Sequence, residues 1–389
     1  MRTPFKVVFL VAVSLAVTSI RAQEVQPVKA YYLGNSFLEN SIPWFHPTLA
    51  KSAGLEMTMN ASLGPGWQIW MHVDSFAKSR ANVKKDLVEG DWNAVVIQHF
   101  ATPGLVNVVD HMFDGPGRVT FDPKKDVGDI ASAAEIVDLF LSKHPDRGRV
   151  FVYSSWPTIP AAGDLRKRVE DETMKSLQAQ GESREETLKK VKERKLTLEE
   201  MEPIARSFDY GAEWLAKFEW NPEVSWQSKH AHSRDYCVQL MEGLKQKFPK
   251  LWEQKRLALI PCGEVFYELD KKMRAGKVPG IENIGLFSRD GGHVRAGLPR
   301  YTLGATCFAV VFGKHPEALD WKIYNDLENY KTEKLPVRGY VHQPDLGVLL
   351  EITPERAKIV NDTIWEVVTH HPYTGLAQRA STGAPADAK

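Results

Sequence analysis

Two short stretches carry residue types that can act together on an acyl group. Gly34-Asn35-Ser36-Phe37 offers a hydroxyl, and Asp290-Gly291-Gly292-His293 offers a carboxylate and an imidazole three residues apart. That spacing can bring Asp290 and His293 to one side of a turn, where the carboxylate would orient the ring and stabilise its protonated form. Each stretch also has a plainer reading: a Ser that caps a helix, and an exposed Asp-Gly turn with a bystander His. Gly64, Gly66 and Gln98 could add donors for a developing oxyanion, through the backbone N–H of either glycine or the side-chain amide of Gln98. Their plainer roles are a tight turn and a strand end. His230, His232 and Asp235 form a further cluster with a short His spacing, but no third and fourth ligand in a convincing pattern accompany it. His370 and His371 stand before Pro372, as expected at a helix C-terminus, where imidazolium favours the dipole.

The elements that must position these groups follow from apolar, β-branched runs, each ending in a turn and followed by helical periodicity. Strands are expected at 28–33, 57–63, 94–98, 150–154 and 257–261. Helices are expected at 130–143, 233–248, 298–312 and 354–369, the last opened by Thr353 as N-cap and Pro354. This alternation is that of a parallel sheet wrapped by helices. Ser36 then sits just after the first strand, and Gly64, Gly66 and Gln98 end the second and third, where loops at the carboxyl edge of an open sheet line a crevice.

Dense charge with few β-branched residues marks a helical insertion at about 160–228, within a domain running from 23 to 378. Ser183 with Glu186 and Thr197 with Glu200 fit capping boxes, and Glu185 with Lys189 and Glu186 with Lys190 are four-residue charge pairs. Such a segment reads as a solvated helical arm, with a lid over a substrate site as the alternative. Trp214, Trp220 and Trp226 follow, able either to stack on a sugar or to pack the insertion. At the start of the chain Arg2 and Lys6 precede an apolar run over 7–17, and a small residue, Ala22, stands before Gln23. The run is too short to span a bilayer, so 1–22 reads as a signal peptide and the mature chain as secreted or periplasmic without a membrane span. Residues 379–389 read as a flexible tail.

The chain has 389 residues, 43% of them hydrophobic and 25% charged, which excludes disordered and many-spanning membrane classes. Lys and Arg number 50 against 49 Asp and Glu, so no broad basic field exists to hold nucleic acid. Three cysteines, Cys237, Cys262 and Cys307, cannot all pair and read as mostly buried thiols, with one disulfide left open.

Taken together these placements resemble the SGNH, or GDSL-type, hydrolase family. Tyr32-Leu33-Gly34-Asn35-Ser36-Phe37 is similar to its first block in a branch with Asn where others have Asp, and Asp290-x-x-His293 is similar to its last. Val95-Val96-Ile97-Gln98 resembles the third block of branches that use Gln, and Ile260-Pro261-Cys262-Gly263 a strand and turn before the last block. The family's usual Gly-x-Asn-Asp third block is absent. The resemblance implies a three-layer α/β/α domain of flavodoxin-like strand order. It also implies Ser36 as nucleophile, His293 as base, Asp290 as its orienting acid, and an oxyanion hole from the Ser36 amide, Gly64 and Gln98, with His99 a lesser candidate. No metal or organic cofactor is implied. The expected activity is a secreted serine esterase or deacylase acting on a small-molecule or glycan ester. O-acetylated carbohydrate is one such substrate, met by Trp67 and Trp70. The alternatives are a noncatalytic glycan-binding protein on the same scaffold, and a metal hydrolase built on His230, His232 and Asp235.

Overall fold

The computed structural model describes residues 26–73, 83–99, 105, 126–193, 196–221, 228–325 and 350–376. The expected signal peptide at 1–22, the expected tail at 379–389 and Trp226 lie outside the described residues. Five strands, β1 (Val28–Gly34), β2 (Met57–Leu63), β3 (Ala94–Gln98), β4 (Arg149–Tyr153) and β5 (Leu257–Ile260), form one sheet in the order β2-β1-β3-β4-β5. Every pairing is parallel. This is the flavodoxin-like order, and the five strands coincide with those expected to within one residue at each end.

Both faces of the sheet are covered, which is why its strands read as apolar runs rather than as alternating ones. Tyr32, Val96, Phe151 and Ile260 face one layer, built largely on the helices Leu298–Phe312 and Pro354–His370. Their neighbours Tyr31, Val95, Val152 and Leu259 face the other, where Asp129–Leu141 and Arg234–Lys247 pack. The result is a three-layer α/β/α architecture. Among the described residues no helix is long and apolar enough to cross a membrane. All three cysteines are buried and free, so the disulfide left open by the sequence is not formed.

The charged stretch folds as the helices Pro160–Ala179, Arg184–Glu193 and Leu198–Ser207. Thr197 and Glu200 make a reciprocal capping box, at 3.2 and 2.7 Å. The Lys190 ammonium donates to Glu182 at 2.5 Å, so the turn before the helix, rather than Glu186 one helical turn away, supplies its hydrogen-bond partner. Ile159, Ala162, Leu196 and Met201 close a small apolar cluster of their own, and Phe208 packs against both this cluster and the main core. The base of the insertion is thereby seated on the domain, while its long first helix buries only Ala162.

One buried carboxyl gives the fold a pH dependence. Asp129, fully buried at a helix start, is pushed up to about 8 by burial, against the pull of the Tyr236 hydroxyl that donates to it at 2.6 Å. Above the ordinary value of 3.8 the unfolded chain has lost this proton while the folded chain keeps it, so stability falls as pH rises through that window. Asn has no proton to lose. Asp129→Asn is expected to melt above the parent at about pH 8 to 9, with the gap closing near about pH 4, as read by thermal unfolding across that range.

Candidate active site

β1 ends at Gly34, and the chain turns at once into the single-turn helix Ser36–Glu39. Asn35 is its N-cap: Oδ1 accepts from Phe37 N at 2.9 Å, while Nδ2 donates to the Trp67 carbonyl at 2.9 Å. The Asn35 N–H donates to Gln98 Oε1 at 2.8 Å, which ties the turn to the end of β3. Ser36 is therefore held at the carboxyl edge of the sheet, and its own N–H, at the first helical position, has no intrahelical acceptor.

The second stretch arrives from the far end of the chain. Ser36 Oγ lies 2.8 Å from His293 Nε2, and His293 Nδ1 lies 3.0 Å from each carboxylate oxygen of Asp290. Burial alone would raise the Asp290 carboxyl. The hydrogen bond from the His293 ring, the charges of His293 and Arg289 and the His293 N–H outweigh it and hold Asp290 well below the usual carboxylate range. An ionised carboxylate only accepts, so Nδ1 carries the ring proton and Nε2 is left to accept from the Ser36 hydroxyl. This arrangement can draw a proton from a hydroxyl into an imidazole whose developing charge is already balanced. His293 and Asp290 remain reachable, with side chains 26% and 13% exposed.

The turn 290–293 is fastened from several sides. Gly291 takes φ of +94°, and a Cβ there would fall 2.7 Å from the Ile159 carbonyl oxygen, so only glycine fits. Its carbonyl accepts from Ile159 N at 2.7 Å, and its N–H donates to Ser288 Oγ at 2.8 Å. The Trp156 indole donates to the Gly292 carbonyl at 3.0 Å, and its ring packs on Phe37 with centroids 4.9 Å apart. The segment that follows β4 thus buttresses the turn that carries the imidazole.

The supporting residues expected from sequence fare unevenly. Gly64 is a correction: its N–H donates to the Gly34 carbonyl at 3.1 Å, continuing the sheet ladder, and so is committed. A side chain there would overlap the Trp67 indole, 2.1 Å from a Cβ, so the glycine makes room for that ring. Gln98 is another. Its oxygen holds Asn35 and its amide nitrogen donates to the His99 carbonyl, which makes it a brace for the Ser36 turn. His99 is buried with Nε2 facing Ser155 N and Oγ at 3.3 Å, and burial and the nearby His232 lower it to about 3. Gly66 sits in an exposed turn with φ of +68°. Trp67 is half-buried beside the Ser36 turn. Trp70 is a further correction: it is 1% exposed and packs with Val127, its indole bonded to Gln68, so it belongs to the core.

The His-rich cluster is not drawn to a common point. His230 Nδ1 meets Glu213 at 2.9 Å, His232 Nδ1 meets Ser155 Oγ at 2.7 Å, and Asp235 accepts from Phe218 N and Gln239. Among the described residues no group of three or more His, Cys, Asp or Glu could hold a metal ion. His232 instead stacks on Phe37, at 5.4 Å and 10°. Sequence reasoning missed Trp156 and Asn40 as neighbours of the site. Asn40 carried a usable signal, since it stands four residues after Ser36 and so on the same side of a helical turn.

No protein-family model matches the sequence, and no curated protein matches it. Among solved structures, a DUF4886 family protein from Bacteroides uniformis is similar, with a TM-score of 0.45 and 11% identity over 91% of this chain and 99% of that one. A proposed SGNH hydrolase from Slackia heliotrinireducens is similar with a TM-score of 0.34 and 14% identity, over 73% of this chain and 98% of that one.

Proposed function

We propose that the chain is a serine ester hydrolase of SGNH type, exported after removal of residues 1–22, that removes acyl groups from carbohydrate esters. The observation that carries the reading is the hydrogen-bonded line from Ser36 Oγ through His293 to Asp290, at 2.8 and 3.0 Å. His293 Nε2 takes the Ser36 proton as Oγ attacks the ester carbonyl carbon, and Asp290 balances the imidazolium. The Ser36 N–H supplies a donor to the oxyanion. Collapse of the tetrahedral species breaks the ester C–O bond. The leaving alcohol takes the proton from His293, and the acyl group stays on Ser36. Water, deprotonated by the same ring, then releases the carboxylic acid.

Trp67 supports carbohydrate as the substrate class, because its carbonyl holds the Asn35 cap of the Ser36 turn and its partly exposed indole is a face on which a sugar ring can stack. The test joins a fluorophosphonate probe with a panel of O-acetylated oligosaccharides. A covalent adduct at Ser36, read by mass spectrometry, and release of acetate from the panel are expected. Absence of the adduct overturns the hydrolase reading in favour of a binding protein. An adduct without acetate release from any glycan, beside turnover of simple esters, overturns the substrate class alone.

A further inference from the structure

Ser36 and His293 lie 257 residues apart in the chain, so something must hold their separation. Asn40 is completely buried, and its one side-chain amide reaches both partners. Nδ2 donates to the Ser36 carbonyl at 2.5 Å, and Oδ1 accepts from the N–H of Val294, the residue after His293, at 3.1 Å. The Asn40 backbone N–H also donates to the Ser36 carbonyl, at 3.2 Å, which fixes where the amide starts. A helix C-cap needs only the backbone contact. The side chain does more, because it fastens the nucleophile's own peptide to the peptide that follows the imidazole, across a sequence separation of 254.

We infer that Asn40 is a positioning residue for the reaction, an amide strut that keeps Ser36 Oγ within hydrogen-bond reach of His293 Nε2; its kinetic consequences rest on the hydrolase reading above. The Val294 end of the strut is buried and the Ser36 end part-buried, and losing Asn40 would leave the buried Val294 N–H unsatisfied. The Asn40 side chain is hydrogen-bonded to the backbone on both sides of the pair, at Ser36 and at Val294. Trp156 grips the same turn one residue earlier but reaches the nucleophile side only through the Phe37 ring.

The test uses the full chain carrying Asn40→Ala, with Asn40→Asp as a second variant that keeps the acceptor for Val294 and loses the amide donor. Crystal structures of both are compared with the parent, together with p-nitrophenyl acetate kinetics. In Asn40→Ala the separation of Ser36 Oγ from His293 Nε2 is expected to open beyond hydrogen-bond reach from 2.8 Å. A misplacement near 1 Å is expected to lower kcat by about 100-fold. KM should stay within about twofold of the parent, since binding is not what the strut supports. In a His293→Ala background Asn40→Ala should change the residual rate no further, an outcome that a merely destabilising substitution would not produce. An unchanged separation in both variants, or an equal loss with and without His293, overturns the inference. A parent protein that turns over no ester and takes no fluorophosphonate sinks the hydrolase reading instead, and the measured separation still decides the strut.

Discussion

Ser36→Ala is expected to remove ester turnover by roughly 10⁶-fold while leaving the fold intact. The hydroxyl's contact is with His293 Nε2, and the turn that carries it is capped by Asn35 rather than by Ser36 itself. Ala at the first position of a helical turn keeps that backbone, so the change in stability should stay within about 1 kcal/mol. Matching circular dichroism spectra and melting temperatures, with p-nitrophenyl acetate hydrolysis lost, is the expected result. Turnover retained in purified variant would mean that another group attacks the ester. The Ser155 hydroxyl, in contact with His99 and His232, is fully buried and offers no route for substrate.

Asp290→Asn is expected to cost about 10⁴-fold in kcat with Ser36 still in place. The reason is tautomeric as much as electrostatic. The carboxylate offers His293 only acceptors, which pins the ring proton on Nδ1 and leaves Nε2 free for the hydroxyl. An amide can present a donor, turn the ring to the other tautomer and remove the charge that balances imidazolium. The same substitution has a stability signature. A carboxyl held below its ordinary range contributes stability that is present above the unfolded value and is lost as pH falls through the folded one. The variant should therefore melt below the parent at neutral pH, with the difference shrinking in acid. Kinetics and thermal unfolding at matched pH check both halves. Full activity with Asn at 290 would remove Asp290 from the mechanism.

The two pH effects run in opposite directions for one reason. Asp129 is fully buried with the Tyr236 hydroxyl as its partner and keeps its proton, whereas Asp290 is part-buried against the His293 ring and Arg289 and gives it up. Burial is common to both; the partner decides the sign.

Much of the architecture was legible in the amino-acid order because it is set by local rules. Runs such as Ala94–Gln98 and Leu257–Ile260 are too apolar for a one-sided strand, and each is followed by turn residues, so a buried parallel sheet was the only economical reading. The two candidate stretches were legible for the same reason: a Ser just past β1 and an Asp-x-x-His turn are statements about neighbours in sequence. The tertiary structure alone decided which groups support them. Whether Gly64 has an N–H to offer depends on the carbonyl of Gly34 across the ladder, and the Gln98 oxygen holds Asn35 while its amide nitrogen donates to His99. Trp67 and Trp70 are three positions apart, yet one borders the Ser36 turn and the other is core, a difference set by Val127 and Gln68 around the second. Asn40 finds Val294 only after the whole domain has closed. Periodicity and turn chemistry are properties of short segments. A hydrogen-bond donor's availability is a property of everything packed around it, and that is why the proposed triad could be read from the chain while its supports could not.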